Sequence, residues 1–404
     1  MSEQSRKPAA GAVDGVPGRD GAADPLQRFQ ALPASHLFRG DHFVRRQEIG
    51  ADWIRPDQCW LLIFVSHRWE TLRHPDPAGR QWRALARLVS DMCDLWDALG
   101  AGDAHQRIRL VPRLDRHGVA QAAVLLSRLR PPEGASAPGP DTPARAFLPD
   151  RIGIWYDYAC MPQRPWARGE EEEFRAGLIA LPQLFGSEHV LLLALREAGD
   201  DYGNRGWCLA ESLSAAAGGQ RGVAVRMDLL GTPLTLGAEG QDRNHDLSRR
   251  LRAALGGWAD SAVDAAAAAD CLTMLAVTAG YSQSEWFSAS DGIAPVYLGD
   301  VITTAGAWLG KMLARLAVRR GRSADLAVLL RELAHESGVR CAVEDDLVYV
   351  ALLMLHMESA DGSAIRKFYA DCIERFVSGR PIVTRLAENS ADGIGYEDVR
   401  LEPG

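Results

Sequence analysis

The stretch "CWLLIFVS", residues 59–66, is an unbroken apolar run closed by a serine. A strand with one wet face alternates polar and apolar residues, so a run of this length without alternation belongs to a strand covered on both faces. That is the habit of parallel sheets sandwiched between helices. Runs of similar texture recur in "RIGIWYDYA" (151–159), "EHVLLLAL" (188–195) and "GVAVRMDLL" (222–230). Between them lie helical patterns. Trp82, Leu85, Leu88, Val89, Met92, Leu95, Trp96 and Leu99 recur at steps of three and four and predict a helix over 80–99. A second amphipathic piece covers 113–130, and "EEEEFRAGLIALPQLF" (170–185) and "RGWCLAESLSAAAGG" (205–219) read as further helices, the last stopped by Gly218 and Gly219. Strands alternating with helices specify an α/β domain, here over residues 50–235, with a Pro-rich loop at 131–149.

The chain around this domain has a different texture. Residues 1–30 are rich in Gly, Ala, Pro and Asp, lack the apolar centre of a signal peptide, and read as a disordered tail. From 240 to 385 the sequence turns to Ala- and Leu-rich helical segments, including "DSAVDAAAAADCLTMLAV" (260–277), "ADLAVLLRELAHE" (324–336) and "DDLVYVALLMLHM" (345–357), which predict a mostly helical second domain followed by a tail at 386–404. At 404 residues the chain is long enough for two cores. Its net charge of −8 argues against a broad nucleic-acid footprint, and the basic cluster "ARLAVRRGR" (314–322) reads as a solvated helix end. No apolar run has the length of a membrane span. Seven scattered cysteines without a CxxC pair predict a reduced, cytoplasmic protein with no structural zinc.

In open parallel sheets, ligands bind beyond the carboxyl ends of the strands. Three polar clusters fall at that edge. "SHRWETLRHPDP" supplies Ser66, His67, Arg68, Trp69 and Asp76; "WYDYACMPQ" supplies Asp157, Tyr158 and Gln163; "LREAGDDYGNRGWCLAE" supplies Tyr202, Arg205, Trp207 and Glu211. Glu211 lies four residues after Trp207, on one helical face with it. A carboxylate beside an indole is partly desolvated and acts strongly on a developing cation, such as the oxocarbenium-like centre formed when a ribosyl bond breaks. A plain helix-surface residue paired with Arg205 or another exposed group is the alternative. The glutamates 170–173 are read as first-turn acids complementing the helix dipole.

The order "LLIFVSHRWETLRHPD", a strand bearing Asp157, then "DDYGNRGWCLAESL" resembles the Toll/interleukin receptor (TIR) family, whose first strand ends in a Ser-Phe-Arg type loop and whose later helix carries Trp-Cys-x-x-Glu-Leu. Here Trp207, Cys208 and Glu211 match, Ser212 stands in place of Leu, and His67 sits where an aromatic is usual. "WYDYACMPQ" is also similar to a segment of fungal heterokaryon-incompatibility domains, themselves TIR-like. The resemblance spans about 55–235. It implies a flavodoxin-like parallel sheet flanked by helices and an NAD-cleaving activity with Glu211 as the catalytic acid. It further implies that Ser66, His67, Arg68 and Trp69 form the loop over the nucleotide and that Trp207 packs near the ribose; Asp76, Asp157, Tyr158 and Arg205, from the polar clusters at the same edge, are the other candidate binding residues.

In that reading NAD is the substrate, no separate cofactor or metal is called for, and a homo-oligomer completes the pocket. Three alternatives stay open: an N-glycosidase or ribosyltransferase acting on another nucleotide, a scaffold that pairs through its surfaces without turnover, and a thiol site built from His67 with Cys160 or Cys208, in which a helix N-terminus would lower the Cys208 pKa.

Overall fold

The structure is a computed structural model. It describes residues 29–50, 53–71, 73–100, 121–122, 125–126, 128–132, 142–185, 190–197, 199–217, 221–228, 230, 286–288, 296–359, 363–388 and 399–403. The segment 1–28, the middle of the Pro-rich loop, most of the amphipathic piece at 113–130 and the helical stretch at 260–277 lie outside the described residues.

Six strands, β1 (Leu32–Pro33), β2 (Leu61–Ser66), β3 (Ile152–Trp155), β4 (Val190–Arg196), β5 (Arg221–Arg226) and β6 (Trp286–Ser288), form one sheet in the order β1-β3-β2-β4-β5-β6. The four central strands are parallel. The two edges, β1 on β3 and β6 on β5, run antiparallel, so the sheet is mixed where a purely parallel one was expected. The inner strands, taken in chain order, lie 2-1-3-4, an order consistent with a flavodoxin-like sheet. Every residue of β2 is buried, as an apolar run without alternation requires. Strand β3 contains Gly153, where a Cβ would stand 2.6 Å from the Cys59 sulfur and 2.9 Å from a Leu62 methyl, so a side chain there would force the neighbouring strand away. The strand expected over 151–159 stops at Trp155, and Asp157–Cys160 forms a single helical turn.

Helices α1 (Arg80–Gly100), α2 (Glu170–Phe185) and α3 (Gly206–Ala217) occupy the expected segments. Trp82, Leu85, Leu88, Val89 and Met92 form the buried stripe of α1 and join β2 and β4 in the first core. Phe64 stacks on Trp155 at 4.5 Å between ring centres. Phe29, expected in the disordered tail, is buried in this core.

The remaining described chain combines α4 (Val296–Ala317), α5 (Leu326–Glu336), α6 (Asp346–Glu358) and α7 (Ala364–Val377) with an antiparallel sheet of β7 (Ser323–Asp325), β8 (Val383–Leu386) and β9 (Val399–Leu401). Asp325 caps α5 by accepting from the backbone of Ala327 and Val328. Helix α6 is buried continuously from Leu347 to Leu355, as a helix apolar on all sides must be. Two expectations change here. The segment read as a tail carries β9, whose three residues are too short to show a strand period. The second core also includes Leu209 and Ala210 of α3, so the helices are built onto the α/β sheet. Among the described residues no helix is long and apolar enough to cross a membrane.

Candidate active site

The sheet order reverses between β2 and β4, and Ser66 at the end of β2 lies directly beside Ala194 of β4. This is the switch point at which an open α/β sheet leaves a crevice. Helix α3 follows β4 and brings Glu211 to this point. The Ser66 hydroxyl donates to Glu211 Oε2 at 2.5 Å and lies 2.5 Å from the Tyr202 hydroxyl, which is itself 3.4 Å from Ser212 Oγ. Ser66, Tyr202 and Ser212 are fully buried, and Glu211 is partly so. Burial holds the Glu211 carboxyl well above the usual carboxylate range; the Asp157 charge adds to this, and the Ser66 hydrogen bond offsets only part of it. Among the described residues no cation pairs with Glu211, which answers the alternative of a surface pair with Arg205.

Asp157 organises a second group on the same side. One carboxylate oxygen accepts from the Trp69 indole at 2.9 Å; the other lies 3.3 Å from His67 Nε2 and accepts from the Tyr158 backbone at 2.5 Å. His67 is buried and stacks on Tyr156 at 4.0 Å. Tyr158 meets Trp69 edge-on at 5.7 Å. Gln163 donates to the Asp157 carbonyl, fixing the turn that presents the carboxylate.

Arg68 lies beside these groups in a cleft lined by Glu70, Gln81, Leu195, Glu197, Asp200 and Met227. It makes two loose ion pairs of 3.6 Å, to Glu197 and Asp201. Sequence reasoning missed what braces this rim. Buried Gln81 donates to the carbonyls of Arg68 and Pro75 and accepts from the Tyr156 hydroxyl, pinning the loop after β2. Asp200 receives the Arg196 guanidinium through both oxygens and the backbone N–H of Glu197, shaping the loop that carries Tyr202. Tyr202 was visible in the sequence as one polar residue among several. Only the fold places it against Ser66.

Three expected binding residues stand elsewhere. Asp76 is buried with both oxygens committed to α1, accepting from the backbone of Arg80 at 2.6 Å and Trp82 at 2.8 Å; it is a structural cap. Arg205 pairs with Asp201 at 2.9 Å, and its backbone bridges to Arg340. Trp207 turns away from the crevice: its indole donates to Asp346 Oδ2 at 3.0 Å and its ring packs 5.3 Å from Tyr349. The indole expected beside a ribose is thus a contact between the two cores.

The thiol alternative loses its chemistry. Burial pushes the Cys208 thiol well above its usual range, the Glu211 charge adds to that, and its sulfur donates to the His67 carbonyl. Burial likewise raises Cys160 to about 12. Both thiols stay protonated near neutrality. Among the described residues no group of three or more His, Cys, Asp or Glu is placed to hold a metal ion; His74 accepts from the Asp76 backbone and faces the Phe43 carbonyl. Comparison with protein-family models, with curated proteins and with solved structures yields no match.

Proposed function

We propose that this chain is a TIR-like enzyme that cleaves the nicotinamide–ribose bond of NAD at the carboxyl edge of its sheet, with the Glu211 carboxylate as the catalytic group. The observation that carries the reading is a carboxylate at the switch point, hydrogen-bonded to Ser66, part-buried, and without a cation partner among the described residues. Such a group gains most from a ligand that brings positive charge. The nicotinamide ring of NAD is cationic before the bond breaks, and the ribose carbon becomes electron-poor as it breaks, so the ionised carboxylate stabilises the transition state more than the empty site.

The leaving group departs as neutral nicotinamide, taking the bond's electron pair, and needs no acid to protonate it. Water then adds to the ribose carbon and loses a proton, giving ADP-ribose; addition of an adenine nitrogen instead would give a cyclised relative. Ser66 holds the carboxylate in place. The loop from His67 to Trp69 lies over the nucleotide, and Arg68, whose ion pairs are long, is free to turn toward its phosphates. Assembly of several copies completes the pocket.

The test is incubation of the purified protein, monomer and oligomers separately, with NAD and measurement of free nicotinamide, with Glu211→Gln as the control. Release by the wild type and its loss in the variant support the reading. Equal release from both overturns the role of Glu211. Release of a different base from a panel of nucleotides favours another N-glycosidase, and no release from any of them leaves the interaction module.

A further inference from the structure

Helix α3 is held from two sides. Its first-core face carries Cys208 and Ala215, and its opposite face places Leu209 and Ala210 in the second core. The entry to the helix is fastened to the second core by backbone as well as side chains. The Gly206 N–H donates to the Arg340 carbonyl at 2.9 Å, and the Arg340 N–H returns to the Asn204 carbonyl at 3.0 Å. There is no slack at this seam: a Cβ on Gly206 would lie 2.6 Å from the Cys341 sulfur and 3.2 Å from a Val350 methyl. One turn before Glu211, Trp207 is clamped between a hydrogen bond to Asp346 and the ring of Tyr349, and the Tyr349 hydroxyl in turn donates to the Leu178 carbonyl of α2. Asp346 is the first residue of α6, so its carboxylate moves with the most buried helix of the second core.

We infer that the C-terminal half is a clamp on the catalytic helix, and that Asp346, acting through the Trp207 indole, is a positioning residue for Glu211. Trp207 and Glu211 are four residues apart on a rigid helix, about 6 Å of rise, so a displacement at the indole is passed on to the carboxylate. Misplacement of a reacting group by about 1 Å costs on the order of a hundredfold in rate. Whatever shifts α6 therefore retunes the crevice without touching it. The catalytic part of this inference rests on the proposed NAD cleavage; the mechanical coupling does not.

The experiment is a cycle of Asp346→Ala, Trp207→Phe and the double variant, with Asp346→Asn, which keeps an oxygen acceptor for the indole, as the rescue. Two quantities are read: kcat and KM for NAD, and hydrogen exchange at the α3 amides from 209 to 215 against those of β2 and β4. The clamp requires each single variant to lose roughly ten- to a hundredfold in kcat with KM changed by less than about threefold. It also requires the double variant to be no worse than either single one, and Asp346→Asn to stay near wild type. Exchange in α3 rises in the same variants while β2 and β4 hold. Losses that multiply in the double variant, or unchanged kcat and α3 exchange in Asp346→Ala, overturn the inference. If Asp346→Ala fails to fold, Trp207→Phe against Asp346→Asn gives the same comparison. If the wild type releases no nicotinamide, the proposed activity falls and exchange alone decides: faster α3 exchange supports the clamp, unchanged exchange overturns it.

Discussion

Two acids from the same loop-and-helix region, Asp200 and Glu211, are treated in opposite ways by the fold. Burial pushes the Asp200 carboxyl upward, but the Arg196 guanidinium and the backbone N–H groups of Glu197 and Tyr202 outweigh it and hold the group below its ordinary value of 3.8. Glu211 is part-buried, with the Ser66 hydroxyl as its hydrogen-bond partner among the described residues, and goes the other way from its ordinary 4.5. Asp200 has spent its charge on its own chain, and it stabilises the loop. Glu211 has no cation among the described residues to hold it ionised, so burial favours its protonated form, and that is the form a site takes when the missing partner is a ligand.

The sharpest way to break this contrast is to delete each acid. Glu211→Gln is expected to lower nicotinamide release by about a hundred- to a thousandfold, yet to raise the melting temperature near neutral pH, because it removes a carboxylate whose ionisation the folded state resists. Asp200→Ala is expected to do the reverse in stability, costing about 3 kcal/mol by removing the buried carboxylate that accepts from the Arg196 guanidinium and from the backbone N–H groups of Glu197 and Tyr202. Equal effects of the two changes on melting would erase the distinction.

The pH dependence of stability follows with opposite signs. Between 4.5 and the raised Glu211 value the folded state keeps a proton that the unfolded chain releases, so the Glu211 contribution falls as pH rises through that window. For Asp200, stability is fully present above 3.8 and drains away as pH falls toward the depressed folded value. Thermal melts of the two variants against pH, each subtracted from wild type, separate the slopes. In the proposed reaction the ionised form of Glu211 acts, so the acid limb of the pH–rate profile is expected above 4.5.

Smaller effects refine the Glu211 side. Ser66→Ala removes the hydrogen bond that favours the charged form, and is expected to move that acid limb to higher pH and lower release near neutrality about tenfold. Tyr202→Phe deletes only the hydroxyl next to Ser66, and about a fivefold loss is expected. Release equal to wild type in Ser66→Ala would show that the carboxylate acts without its neighbour.

Much of the sheet was legible because its signal is local. An apolar run without alternation at residues 59–66 states both strand and double coverage, and the spacing of Trp82 to Met92 states a helix with one buried stripe. The antiparallel edges β1 and β6 and the small sheet of β7, β8 and β9 were not legible, since strands of two to four residues carry no period and are made by their partners. The site shows the same division. Ser66, His67, Asp157 and Glu211 are residues whose place at a strand end or in the first turns of a helix fixes which edge they reach. Asp76 and Trp207 had the same placement but were claimed by partners that no spacing announces: the N–H groups of α1, and a carboxylate 139 residues further on. Sequence can say which edge a side chain is near; which neighbour captures it depends on contacts between distant parts of the chain.

The sharing of α3 between two cores bears on how the chain comes apart. A fragment ending after β5 would lay Leu209, Ala210 and the Trp207 ring bare to water, an oily strip along the same helix that steadies the sheet. Neither half has a complete surface without the other. Heat is therefore expected to melt both in a single calorimetric transition, and dissection into separately expressed pieces to yield aggregates.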